Sequence, residues 1–132
     1  MSDFIAEDEQ CKRYGNPVPI SYRTIAVDLD GVLNMYCGWR GFYETFPVRE
    51  GAAEFLLALK DRGYHLVCFT ARPADDAKKW LEENGLMEFF DSITNEKIPA
   101  LIYLDDRGVC FKGSFEQALC DIDSFKAHWE KP

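Results

Sequence analysis

Three short apolar runs, each ending abruptly in polar residues, punctuate the chain. They are Thr24-Ile25-Ala26-Val27 before Asp28-Leu29-Asp30-Gly31, His65-Leu66-Val67-Cys68-Phe69 before Thr70, and Ala100-Leu101-Ile102-Tyr103-Leu104 before Asp105-Asp106. Runs of this length with β-branched residues and no alternation predict strands buried on both faces. Between them the period changes. From Glu50 to Arg62 the apolar positions Ala52, Phe55, Leu56 and Leu59 are three and four apart, which predicts a helix that Gly63 stops. Ala77, Trp80 and Leu81 predict a second helix ending at Asn84-Gly85, followed by a short strand over Phe90 to Thr94. Near the C-terminus, Ser114 and Gln117 form a capping box ahead of Phe115, Ala118, Leu119, Ile122 and Phe125. Alternating strands and amphipathic helices predict a parallel sheet with right-handed crossovers, hence a three-layer, Rossmann-like α/β domain with helices on both faces. Residues 1–20 hold Gly15, Pro17 and Pro19 without periodicity and read as a tail or strap, leaving 21–132 as one domain.

Composition narrows the class. With 132 residues and 47% hydrophobic content, the chain can close one core and is too short for two ordinary domains. Its 23 acidic against 15 basic residues give a net charge of -8, which disfavours a nucleic-acid partner. Five cysteines, Cys11, Cys37, Cys68, Cys110 and Cys120, form no CxxC pair and are expected to be free thiols in a reducing compartment. Residues 1–10 lack the basic start and apolar core of a secretory signal, and no apolar run approaches membrane-spanning length. The expectation is a cytoplasmic protein with no membrane partner.

The polar strand endings carry the candidate chemistry, because ligands of such sheets gather outside the carboxyl ends of the strands. Asp28 and Asp30 are two apart, so the strand period can turn both toward one side. Asp105-Asp106 follows the third run, and if the two strands are neighbours four carboxylates converge. Such hard oxygens suit Mg²⁺, which accepts few protein ligands and keeps water and substrate phosphate, whereas histidine and cysteine are absent from these positions. Thr70 offers a hydroxyl and Lys97 an ammonium for phosphate oxygens. Nucleophile, acid/base, metal cradle, hydroxyl and ammonium together match phosphoryl transfer through an aspartyl-phosphate.

With these residues in place, the chain resembles the haloacid dehalogenase superfamily of phosphatases. The likeness rests on Val27-Asp28-Leu29-Asp30-Gly31-Val32-Leu33, Cys68-Phe69-Thr70, Lys97 and Tyr103-Leu104-Asp105-Asp106, in that order, and spans residues 24 to about 113. The resemblance implies that Asp28 is nucleophile and metal ligand. It implies that Asp30 is the acid/base and ligates metal through its backbone carbonyl, that Thr70 and Lys97 hold the phosphoryl group, and that Asp105 and Asp106 hold Mg²⁺ directly or through water. An aspartate at position 30 also implies hydrolysis of the acyl-phosphate. Val32 stands where a threonine is common. The short spacers, 35–49 and 71–96, leave no room for a lid domain and imply the capless branch, whose site is screened by a second subunit, by a bulky substrate, or stays open.

Several candidates carry two readings. Tyr36, Trp39, Phe42, Tyr43 and Phe46 form either a platform for a base or sugar ring or the packing of a hairpin. Arg40, Arg72 and Arg107 either clamp a second anionic group or form salt bridges; Arg72, two residues after Thr70, is the first choice for phosphate. His65 is expected to be structural and His128 solvated. A receiver-like phospho-aspartate module shares the residue types but places its lysine last, and a non-enzymatic scaffold is a further alternative. Tyr103 to Arg107 also resembles the phosphatase half of polynucleotide kinase-phosphatases, yet the acidic charge and absence of a basic stripe favour a small phosphomonoester or nucleotide over a nucleic-acid end.

Overall fold

The structure, a computed structural model, describes residues 19–39 and 45–130. The expected N-terminal tail therefore lies almost wholly outside the described residues, as do Arg40, Phe42, Tyr43 and Cys11. A turn at Ile20–Arg23 leads into strand β1, Thr24–Asp28. The chain continues through helix α1 (Ala52–Asp61), strand β2 (His65–Phe69), helix α2 (Ala74–Glu83) and strand β3 (Ser92–Thr94). Strand β4 (Ile102–Leu104), helix α3 (Phe115–Asp123) and a short turn at His128–Glu130 complete it.

The four strands form one all-parallel sheet in the order β3-β2-β1-β4. This is the expected Rossmann-like α/β architecture. The chain steps outward from β1 through β2 to β3, then returns to place β4 on the other side of β1. The carboxyl ends of β1 and β4 therefore flank the point where strand order reverses, where open α/β sheets bind ligands.

Register explains which face is covered. Ile25 pairs with Leu66, Val27 with both Cys68 and Leu104, and Cys68 with Ile93. Because strand side chains alternate, these residues share one face. They form one core cluster with Ala52 and Leu56 of α1 and Ala77, Trp80 and Leu81 of α2. Two successive right-handed crossovers in one direction put both helices on that face. Gly63, at φ +87°, turns the chain out of α1, its N–H bonded to the Lys60 carbonyl at 2.8 Å.

Three details differ from expectation. Phe55 was placed on the buried stripe of α1 but is 41% exposed, since Ala52, Leu56 and Leu59 define a narrower stripe than the spacing allows. Strand β4 begins at Ile102 and not at Ala100, with the Leu101 side chain exposed although its N–H bonds the Thr24 carbonyl at 2.9 Å. Helix α3 forms where the capping box predicts it, with Ser114 Oγ accepting from Gln117 N–H, but Gln117 sends its own amide to Asp121 and not back to the cap. Its apolar side chains are uncovered among the described residues: Phe115 is 83% exposed, and Leu119 and Ile122 are exposed as well. Amphipathic spacing identifies the helix; it does not say what lies against it. No helix among the described residues is long and apolar enough to cross a membrane.

The contrast between neighbours on α1 is measurable. Leu56→Ala is expected to cost about 2–5 kcal/mol in urea unfolding, whereas Phe55→Ala should cost less than about 1 kcal/mol. Equal losses would place the covered stripe of α1 elsewhere.

Candidate active site at the sheet edge

The segment after β1 forms a wide turn, closed by the Asn34 N–H on the Leu29 carbonyl at 3.2 Å, and leaves helical geometry at Asp30, whose φ and ψ are -71° and 125°. Gly31 follows at φ +84°, a conformation that favours glycine. A Cβ at that position would also run into the Asp106 carboxylate, so loop and β4 end meet closely. Leaving regular structure strands backbone groups that need partners. Arg49 supplies them: its Nε donates to the Val32 carbonyl at 2.9 Å, and its Nη2 donates to the Asn34 carbonyl at 3.1 Å and the Gly31 carbonyl at 3.4 Å. Asn34, 1% exposed, works from inside, accepting from the Gly31 and Tyr36 N–H groups at 3.0 Å each.

This loop delivers the acidic side chains. A cleft of about 640 Å³ opens over the carboxyl ends of β1 and β4, bordered by Asp28, Asp30, Asp105, Asp106 and Arg72, with Tyr36, Trp39, Phe69, Pro73 and Arg107 as walls. A smaller cavity of about 350 Å³, lined by Leu29, Asn34, Phe46, Trp80 and others, shares Arg72 and Asp76 with it. Of the candidate residues, the structure brings the four aspartates and Arg72 to one cleft. Thr70 is buried just beyond β2, its hydroxyl accepting from Arg72 N–H at 3.1 Å, and it does not border the cleft. Lys97 is exposed, its ammonium 5.7 Å from the Tyr103 ring centroid, and it also stands outside the lining.

Arg72 does not point at open space for a phosphate. Its Nε donates to Asp30 Oδ2 at 2.7 Å and its Nη2 to Oδ1 at 2.9 Å, a two-pronged ion pair. Asn34 Nδ2 adds a third bond to Oδ1 at 2.9 Å. The planar guanidinium matches a carboxylate in reach, so of the two expectations for Arg72 the salt bridge is the one realised here.

Asp28 is held differently. Its Oδ1 accepts the Leu29 N–H at 2.8 Å. Burial, a hydrogen bond with the Asp106 carboxyl and the charges of Asp106 and Asp30 push its pKa up from 3.8 to about 8. Such crowding favours a proton or a cation between the two groups. Among the described residues no three or more acidic, histidine or cysteine side chains stand together as a ligand cluster. The Asp28 and Asp106 pair is what the site offers to a metal, and one or two carboxylates are what Mg²⁺ asks for. The same field and burial push the Cys68 thiol up to about 12, which makes it inert as a nucleophile.

The C-terminal turn is the part that sequence reasoning missed. Trp129 Nε1 donates to Asp106 Oδ2 at 2.5 Å, and Ala127 beside it is buried. Trp129 meets Tyr36 edge-on at 5.2 Å, and the Arg107 guanidinium lies 5.4 Å from the Trp129 ring centroid. His128, expected to be solvated, is exposed yet sets Nε2 2.6 Å from the Gly31 carbonyl. The carbonyl can only accept, so this contact selects the tautomer or charge state with a proton on Nε2. Nothing in local spacing could reveal a contact spanning 97 residues. His65, by contrast, is structural as expected, its Nδ1 3.0 Å from Asp91 at the far end of β2.

No protein-family model and no curated protein matches the chain. Among solved structures, a conserved protein from Bacteroides thetaiotaomicron is similar at 24% identity and a TM-score of 0.52, over 79% of this chain and 92% of that one. An uncharacterized protein from Listeria monocytogenes serotype 4b matches at 22% identity and a TM-score of 0.47, over 57% of this chain. That match spans 48% of the Listeria protein's length. The likeness to the Bacteroides protein is one of fold.

Two measurements check this geometry. Trp129→Phe keeps an aromatic ring but removes the N–H to Asp106; it should cost the turn about 1 kcal/mol, seen as roughly fivefold faster amide exchange at Ala127 and Glu130. The second concerns pH. Because the folded-state pKa of Asp28 lies above its ordinary value, the folded chain holds that proton more tightly than the unfolded chain. Its contribution is fully present below pH 3.8 and is lost as pH rises toward about 8. In chelator, melting temperature should therefore fall across that window, and Asp28→Asn should flatten the fall.

Proposed function

We propose that the chain is a Mg²⁺-dependent phosphomonoester hydrolase of the haloacid dehalogenase type, without a lid domain, acting on a small phosphorylated metabolite or nucleotide. The observation that carries this reading is the convergence of Asp28, Asp30, Asp105 and Asp106 on one cleft at the carboxyl ends of adjacent parallel strands. Their order along the chain, with Thr70 and Lys97 between the pairs, supports the same reading.

In it, Asp28 is the nucleophile. The bond from Leu29 N–H to Oδ1 fixes the rotation of its carboxylate, so attack on phosphorus needs no further ordering of that side chain. The donor set is all oxygen and its crowding calls for positive charge, so Asp28 and Asp106 would hold Mg²⁺, with the Asp30 backbone carbonyl and Asp105 as the further ligands that the resemblance implies. When bound, the cation supplies charge neutralisation for the nucleophile and the phosphate oxygens. Asp30 exchanges protons with the leaving group and then with water, and Asn34 and Arg72 set its orientation. To do so it gives up at least one of three bonds, and Arg72, bordering the cleft, is the partner with another anion to turn to. Thr70 and Lys97 would reach the phosphoryl group only after rearrangement from their present contacts.

The test is hydrolysis of a panel of phosphomonoesters, with Mg²⁺ and with chelator. Turnover should require Mg²⁺, and Asp28→Asn should reduce kcat at least about a thousandfold. Undiminished turnover in Asp28→Asn would remove the nucleophile and the mechanism with it. A stable phosphoryl group on Asp28 without turnover would instead place the chain with phospho-aspartate receivers.

A further inference from the structure

The cleft has an acidic base and aromatic walls, and the walls are held rigid. Tyr36 meets Phe46 edge-on at 5.1 Å and 72° and Trp129 at 5.2 Å and 89°. The Arg107 guanidinium covers the Tyr36 ring at 5.8 Å and donates from Nη2 to its hydroxyl at 3.3 Å. Phe46 is buried and tied in turn, its carbonyl accepting the Trp80 indole N–H at 3.0 Å. Phe69, on another wall, meets Tyr103 edge-on at 5.2 Å and 87°. Tyr36 and Phe69 are thus each held by neighbouring rings while bordering the same cleft, and Trp39, 67% exposed, stands at its mouth. Hydrophobic packing alone does not explain this arrangement, because packed rings lie inside, whereas these border about 640 Å³ of open space beside five carboxylates.

We infer that this cleft is a subsite for a planar, heteroatom-bearing ring, so that the substrates are nucleoside monophosphates. This rests on the phosphomonoesterase reading and narrows it. Pre-fixed rings lose little entropy when a base stacks on them. Arg107 carries five N–H donors, one of them at Tyr36 Oη, in a position to meet carbonyl or ring-nitrogen acceptors of a base. A simple sugar phosphate would leave the rings wet. A nucleic-acid strand is disfavoured, since the lining sets Asp28, Asp30, Asp76, Asp105 and Asp106 against two arginines, one already paired with Asp30. A cleft of this size is in the range of small-ligand sites.

The decisive comparison holds the ester constant and varies only the ring: a purine ribonucleoside monophosphate against the same ribose phosphate without its base. The nucleotide should show kcat/KM at least about tenfold higher, the ratio that one stacked base provides. Tyr36→Leu, Phe69→Leu and Trp39→Leu should each lower that ratio, mainly through KM of the nucleotide; Trp39, mostly exposed, can be replaced without disturbing the fold. A ratio near one in the parent chain, or one unchanged in all three variants, would overturn the subsite. So would a phosphotyrosine peptide outrunning the nucleotide. If no ester is turned over, the hydrolase reading fails separately. Calorimetric binding of the same two ligands to the parent chain then decides the ring subsite: preference for the nucleotide sustains it, and equal or absent binding overturns it.

Discussion

Negative charge held too close is the constraint around which this molecule is organised. Asp28 and Asp106 approach from two adjacent parallel strands and touch, in a place where burial already penalises charge. Everything nearby reads as a response. Asp30 is neutralised by a guanidinium from the segment beyond β2, and Asp106 takes an indole N–H from the C-terminal turn. The Asp28 carboxyl keeps its proton well above the ordinary range. A surface pair would contribute little in this position because water would screen it. Here the fold imposes the proximity, and the side chains around it settle the electrostatics.

The responses come from distant parts of the sequence, which is why the two halves of the site differ in how readily they could be foreseen. Strand ends announce themselves locally: an apolar run broken by Asp28 or Asp105 needs only chain periodicity to be noticed, and the sheet order then brings the two together. The same local rules foresaw α1 and α2 with their stops, and the start of α3, which ends at Asp123, short of the expected Phe125. Partners are another matter. That Arg72 would choose Asp30 over solvent depended on the packing of the segment after β2 against the first loop. That Trp129 would reach Asp106 depended on the whole path of the chain after α3. Arg49 carried no signal at all, since an isolated arginine after a proline and a valine looks like any surface cation. Its value appears only once three carbonyls of the first loop are seen within its reach.

Aromatic density was visible early but ambiguous, and the structure separates its members. Phe46 is core, Tyr36 is a wall with core residues behind it, and Trp39 is largely open to solvent. A single cluster in the sequence thus divides into support and surface. The division follows from Trp80, whose indole N–H fastens Phe46 to α2 and so fixes where the hydrophobic interior ends. The apolar side of α3 marks the opposite outcome, a stripe as regular as those on α1 and α2 that stays largely exposed, with the Phe111 ring 5.4 Å from that of Phe115.

The central place of β1 has a dynamic consequence. With β2 on one side and β4 on the other, its amides and carbonyls are committed in both directions, so Ala26 and Val27 cannot open without separating the sheet itself. The carboxylate at the end of that strand is anchored to the slowest-breathing part of the molecule.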